Sequence, residues 1–243
     1  GISMLIRLMK FEFKNLLRDR MTAMLLVYPI MVGFLGKYLL ENQNFDENGI
    51  NLLVVALTII SGMIFGSMAG FSILDDRDDN VFLSIQISPM NVRFYVWFKV
   101  LFVYILSVLA NLLIFLIMGG LGLELTDFIL ISLLIGLQVP IKAFLINALS
   151  SNKVEGFIAM KGSGFLIIFP VVAFFFLDCK EWLFAFAPAF WGAKAVQSRL
   201  LQSYIDLGLV SMNLDFWMYL GIGFVYNLVL VYLMYNVFKR KTM

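Results

Sequence analysis

Histidine is missing from all 243 residues, and cysteine occurs once, at Cys179. The first absence excludes imidazole metal sites and histidine acid–base chemistry; the second excludes an intrachain disulfide. Charge is scarce as well, at 14% of residues against ~25% in ordinary soluble domains. The net surplus of +2 leaves no electrostatic footprint for nucleic acid. No Gly-x-x-x-x-Gly-Lys-Ser/Thr loop occurs, so the chain has no phosphate loop of that kind for ATP. Lys161-Gly162-Ser163 imitates the end of one, but the preceding glycine is absent at the required spacing and the surroundings are apolar. Cys179 has only Lys180 and Glu181 as charged neighbours, so no nucleophile stands beside a base. No catalytic, cofactor or metal site is expected in this chain.

What is abundant is apolar surface: 62% of residues are hydrophobic and the mean hydropathy is +0.94. Crossing ~30 Å of hydrocarbon takes about twenty apolar residues. Runs of that length fall at 21–40, 50–74, 100–123, 128–149, 157–177 and 216–238. Six spans put both termini on one side. With the amino terminus inside, fourteen Lys and Arg lie on inner segments, and four (Lys37, Lys180, Lys194 and Arg199) remain outside. That asymmetry predicts cytoplasmic termini, and the acids at 75–79 do not oppose it, since acids count little. None of the six runs contains Asp or Glu, so the intramembrane carboxylate that ion-coupled carriers use as a relay is missing. The first residues are amphipathic rather than a charged tip before an apolar block, so no cleavable signal is expected; Gly1-Ile2-Ser3 ahead of Met4 reads as a cloning remnant. The fold expected is one transmembrane domain over residues 4–243: an all-α polytopic membrane protein with six transmembrane helices.

Residues 4–20 space Arg7, Lys10, Lys14 and Arg18 three or four apart, opposite Leu5, Leu8, Met9, Phe13, Leu16 and Leu17. This predicts an amphipathic interfacial helix, the alternative being a positive flank for the first span. In the second span Gly62, Gly66 and Gly70 bare one helix face, for packing within the chain or against a second subunit. The fourth span holds Gln138, Pro140 and Lys142. Pro140 kinks the helix and frees a carbonyl, and the polar pair either lines a translocation path or leaves Lys142 snorkelling to the cytoplasmic interface, the reading the sequence favours. Residues 178–215 gather Trp182, Phe184, Phe186, Phe190 and Trp191 around Pro188 before a helical stretch at 192–207. Aromatics at this density predict an outer, partly helical cap at the interface. Trp182, Phe190 and Trp191 join Gln138 and Lys142 as candidates for the pathway or its cap.

Residues 75–99 form the strongly charged interruption. Asp75-Asp76-Arg77-Asp78-Asp79-Asn80 precedes a mostly apolar stretch from Val81 to Ile87 that Ser88-Pro89 closes. A short helix outside the bilayer is predicted, with acids at its positive end, a turn at Asn80, which tolerates a left-handed backbone, and a stop at Pro89. This stretch resembles the first cytoplasmic loop of type-two ATP-binding-cassette exporter permeases: two acids, a charged stretch, a turn, a leucine-rich segment, Ser/Thr-Pro and, eleven residues after the Ser, Lys99. It departs from them in having Asn80-Val81 where they usually have Gly-Thr. The entry over Phe11 to Arg20, with Pro29 following, is similar to theirs. The turn Asn152 to Gly156, with the later Pro188-Ala189-Phe190-Trp191 and Lys194, resembles small bacterial drug or peptide exporter permeases of that family.

The resemblance implies a coupling loop at 75–93 that docks a separate cytoplasmic ATPase through Asp79, Asn80, Phe82, Leu83, Ile85, Ser88 and Pro89. ATP and Mg would belong to that partner. It also implies a second permease subunit, a copy or a sister chain, short helices that dip back into the outer leaflet as the cap, and residence in lipid of the bacterial cytoplasmic membrane. The cargo expected is amphipathic or hydrophobic, a membrane-active peptide or a drug. A different class stays open: a non-transporting membrane protein such as an immunity or assembly factor, for which only the span count speaks.

Overall fold

The computed structural model describes the chain apart from residues 19, 43, 87–90 and 121, and apart from the side chains of residues 12–13 and 15–26. Its described residues form helices and no strands: α1 Ile2–Arg18, α2 Arg20–Asn42, α3 Glu47–Asp78, α4 Val81–Gln86, α5 Val92–Ile117, α6 Leu125–Ile135, α7 Gln138–Leu149, α8 Lys153–Gly164, α9 Ile168–Ala173, α10 Pro188–Leu200, α11 Gln202–Asp206 and α12 Phe216–Thr242. Among the described residues five stretches are long and apolar enough to span a membrane: α3, α5, α6 with α7, α8 with α9, and α12. The protein is an all-α polytopic membrane protein. The span expected at 21–40 coincides with α2, whose side chains up to residue 26 lie outside the described residues.

Helix starts follow local chemistry. Asp46, Asn91, Asn152 and Asp215 each accept a hydrogen bond from a backbone amide two or three residues on, satisfying donors that the first turn leaves open. Helix α3 runs on through Asp78, so the acids at 75–78 occupy its last turn rather than a loop. The link between the runs at 100–123 and 128–149 is likewise partly helical. Asp127 sits in the first turn of α6, buried, with its carboxylate 3.0 Å from Arg199 Nε of α10, and the Arg199 guanidinium lies over the Phe216 ring. The acids of the spanning helices thus stand in terminal turns, where helix ends and basic partners hold them.

The glycine face of α3 is consumed inside the chain. A Cβ on Gly62 would fall 2.8 Å from the Ile135 carbonyl oxygen, and one on Gly66 would fall 2.9 Å from Lys142 Cβ and 3.1 Å from the Gln138 carbonyl oxygen. Bare backbone is what lets α3 lie against the α6–α7 span. Asn147 reinforces the crossing by donating to the Gly70 carbonyl oxygen at 2.9 Å.

The fourth span breaks where Pro140 predicts. Helix α6 ends at Ile135, and α7 restarts at Gln138 with Pro140 in its first turn, where a missing amide is tolerated. Tyr104 of α5 donates to the Leu133 carbonyl oxygen at 2.7 Å beside the break. The fifth span is interrupted too, by a 3₁₀ turn at Phe165–Ile167 between α8 and α9.

Candidate coupling face, cavity and cap

At its acidic end, α3 is tied to three neighbours. Asp76 accepts from Lys99 Nζ at 2.5 Å and from the Tyr95 hydroxyl at 2.9 Å, both on α5. Arg77 Nη1 donates to the Asn147 carbonyl oxygen at 2.9 Å, to Asn147 Oδ1 at 3.2 Å and to the Ser150 carbonyl oxygen at 3.0 Å, bonding the end of α7. Asp75 pairs with Lys153 Nζ of α8 at 2.9 Å. Asp78 and Asp79 remain exposed, Asp79 as the residue that ends α3. Asn80 has φ 58° and turns the chain into α4, the left-handed conformation for which it was singled out.

Helix α4 corrects part of the expected docking set. Phe82 and Ile85, three apart on one face, are 8% and 9% exposed and pack into the chain's own core with Leu8, Val92, Tyr95 and Val96. They cannot enter a partner's groove in this arrangement, because their apolar surface is already taken by α1 and α5. Leu83, on the opposite face, is 59% exposed, with Ser84 and Gln86 beside it. The face that remains outward is therefore Asp78, Asp79, Asn80 and Leu83. Ser88 and Pro89 lie outside the described residues.

Deeper in, Gln138 and Lys142 stand one turn apart on α7 and line a cavity of about 40 Å³ with Met63, Ser163 and Pro188. Lys142 is 7% exposed, so it does not snorkel to the interface; α3, packed through Gly66, covers its stem. A wider groove of about 500 Å³ adjoins this cavity between α7 and α8, sharing Leu145, Ser163 and Leu166 with it.

The segment at 178–215 holds a buried polar knot, and of its aromatics only Trp182 and Phe186 are exposed. Phe190 is 0% and Trp191 7% exposed, Trp191 packing over Gly223 of α12 and donating to the Ala185 carbonyl oxygen at 3.1 Å. Both belong to the core and neither lines an open path; Trp182 alone of the three cap candidates is substantially exposed, at 40%. The stretch expected to be helical over 192–207 begins earlier, with Pro188 in the first turn of α10, and is interrupted before α11. Lys194 pairs with wholly buried Glu181 at 3.1 Å and donates to the carbonyl oxygens of Ala173 at 2.7 Å and Phe176 at 2.6 Å. Glu181 also accepts from Tyr219 at 2.7 Å and Asn213 at 2.9 Å. Burial lowers the Lys194 pKa from its ordinary value, while the charge of Glu181 works in the opposite sense.

Sequence reasoning named Asp76, Lys99, Glu181 and Lys194 without their pairings. Lys194, set among Gly192, Ala193, Ala195 and Val196, was the available signal, since a buried charge needs a partner.

A polytopic helical membrane protein with a charged elbow between two spans and a polar cavity among them is the class that this geometry defines. Residues 12–235 match the family described as fluoroquinolones export permease protein Rv2686c-like, and the chain belongs to that family. Among its relatives are the fluoroquinolones export permease proteins MT2760 and Rv2686c of Mycobacterium tuberculosis, from strains CDC 1551 / Oshkosh and ATCC 25618 / H37Rv. Each is 24% identical over 242 residues, covering 95% of this chain and 92% of the relative.

Proposed function

We propose that this chain is the membrane-spanning subunit of an ATP-driven exporter of amphipathic small molecules, with ATP and Mg bound by a separate cytoplasmic ATPase. The observation that carries the reading is the inner elbow: a short helix outside the spans, fixed to α3 and α5, that turns Asp78, Asp79 and Leu83 outward. The chain has no phosphate loop and no acid midway along a span to couple an ion gradient, so its energy source must dock from outside. The names of the relatives point to drug efflux; nothing comparable supports a peptide cargo. A second permease subunit, either a copy or a sister chain, would complete the pathway in the lipid of a bacterial cytoplasmic membrane.

The docking face is tested by Leu83→Asp. Because Leu83 is 59% exposed, the variant is expected to insert and fold, yet to lose ATPase association and export. An apolar anchor at the centre of an interface contributes about 2 kcal/mol, roughly 30-fold in affinity. Co-purification of the ATPase and drug accumulation in cells are the measurements, and unchanged values for both would remove Leu83 from the interface. Phe82→Asp is not an equivalent test, since it buries a carboxylate in the core.

Orientation is tested by Cys179, the sole cysteine, which is exposed in the outer segment. An impermeant maleimide applied to intact cells is expected to label it fully. Labelling only after the cells are opened would invert the proposed topology and place the elbow on the wrong side for an ATPase.

A further inference from the structure

Buried lysines in this chain come with partners: Lys99, 2% exposed, has Asp76, and Lys194, 1% exposed, has Glu181 and two carbonyls. Lys142 departs from this rule. At 7% exposure it has neither an acidic partner nor a hydrogen-bond acceptor among the described residues. One turn away, the side-chain amide nitrogen of Gln138 is buried and also lacks an acceptor. The unpaired Gln138 amide is costly to bury, a largely desolvated ammonium on Lys142 is costly as well, and both residues line one cavity. What both lack is an oxygen acceptor, and beside a positive charge the acceptor that fits best is an anion.

The dimensions say how much of a ligand belongs there. About 40 Å³ admits a group the size of a carboxylate and excludes a drug-sized body. The adjoining groove, about 500 Å³ and walled by Leu145, Leu149, Ile158, Phe165 and Leu166, has the capacity and the apolar lining of a small-molecule site. Glu155, on this groove, is exposed and accepts from the Ser151 amide. A charged recess opening onto an apolar groove matches a molecule with an anionic head and an apolar body.

We infer that Gln138 and Lys142 form an anion subsite for the carboxylate of an amphipathic cargo whose body lies between α7 and α8. The inference rests on the exporter reading only in calling the occupant cargo. A phospholipid phosphate offers the same oxyanion chemistry, so the test separates the two sources.

The full chain, in nanodiscs of phosphatidylcholine, is titrated with 2-naphthoate and with its methyl ester, and binding to empty discs is subtracted. A charge-assisted hydrogen bond at a buried lysine predicts that the acid binds about tenfold or more tightly than the ester. Lys142→Met is expected to abolish that preference and leave ester binding unchanged, Lys142→Arg to retain it, and Gln138→Leu to weaken the acid a few-fold. Equal binding of acid and ester by the unmodified chain overturns the inference, as does a preference that survives Lys142→Met; Lys142→Gln replaces that variant should it fail to insert. Loss of naphthoate binding when phosphatidylglycerol is added to the discs makes this a lipid site and overturns the cargo assignment. No ATPase enters the assay, so failure of the exporter reading, seen as absence of a co-purifying ATPase, is registered separately.

Discussion

Replacing Lys99 by Met is expected to destabilise the chain by about 3–5 kcal/mol, the usual effect of removing one member of a buried ion pair. Lys99 is 2% exposed and Asp76 15%, and after the substitution Asp76 keeps the Tyr95 hydroxyl but no positive charge. The loss falls on the junction of α3 and α5, so on the exporter reading the proposed ATPase association should fail along with thermal stability. Asp76→Asn combined with Lys99→Met is expected to recover most of the stability, because an uncharged pair carries no buried ion. Thermal unfolding of the purified single and double variants, arranged as a double-mutant cycle, makes the measurement. Equal losses in the single and double variants would show that the side-chain stems, rather than the charges, hold this junction.

Lys194→Met is expected to have an effect at least as large, again about 3–5 kcal/mol for the stranded carboxylate alone. Glu181 would stay wholly buried with the hydroxyl of Tyr219 and the amide of Asn213 as its remaining partners. The carbonyl oxygens of Ala173 and Phe176 would lose their donor in the same step, so here the neutral double variant with Glu181→Gln should recover only part of the loss. That contrast separates a pair held by charge from a lysine that also ties down backbone. Full recovery in the double variant would mean that the two carbonyls find other donors at little cost.

The sequence made the apolar runs, the break at Pro140, the turn at Asn80 and the bare face of α3 legible, because each depends on residues close together in the chain. Spacing also placed α4 correctly. It misassigned the direction of Phe82 and Ile85: apolar residues beyond a span look available to a partner, whereas α1 and α5 already cover them. Their three-residue spacing, with Leu83 on the other face, was the local hint that one side turned inward. Phe190 and Trp191 were misread for a related reason. Aromatic density suggested a belt facing lipid, but Gly192 and Gly223, one of them more than thirty residues away, let these rings pack between α6 and α12. Lys142 looked long enough to reach the interface, and only the tertiary crossing with Gly66 shows why it stays inside. Ion pairs such as Asp76 with Lys99 and Glu181 with Lys194 join different helices, and no periodicity encodes them.

Arg77 has one more consequence. Its bonds to Asn147 and Ser150 bolt the end of α3 to the end of α7, about 7.5 Å along the helix from Lys142 at 1.5 Å per residue. A flexible joint would absorb a push delivered at Leu83, but a bolted one passes it on as torque. On the exporter reading proposed above, a partner docked at Leu83 would therefore act through the end of α3 on α7, the helix that carries Lys142.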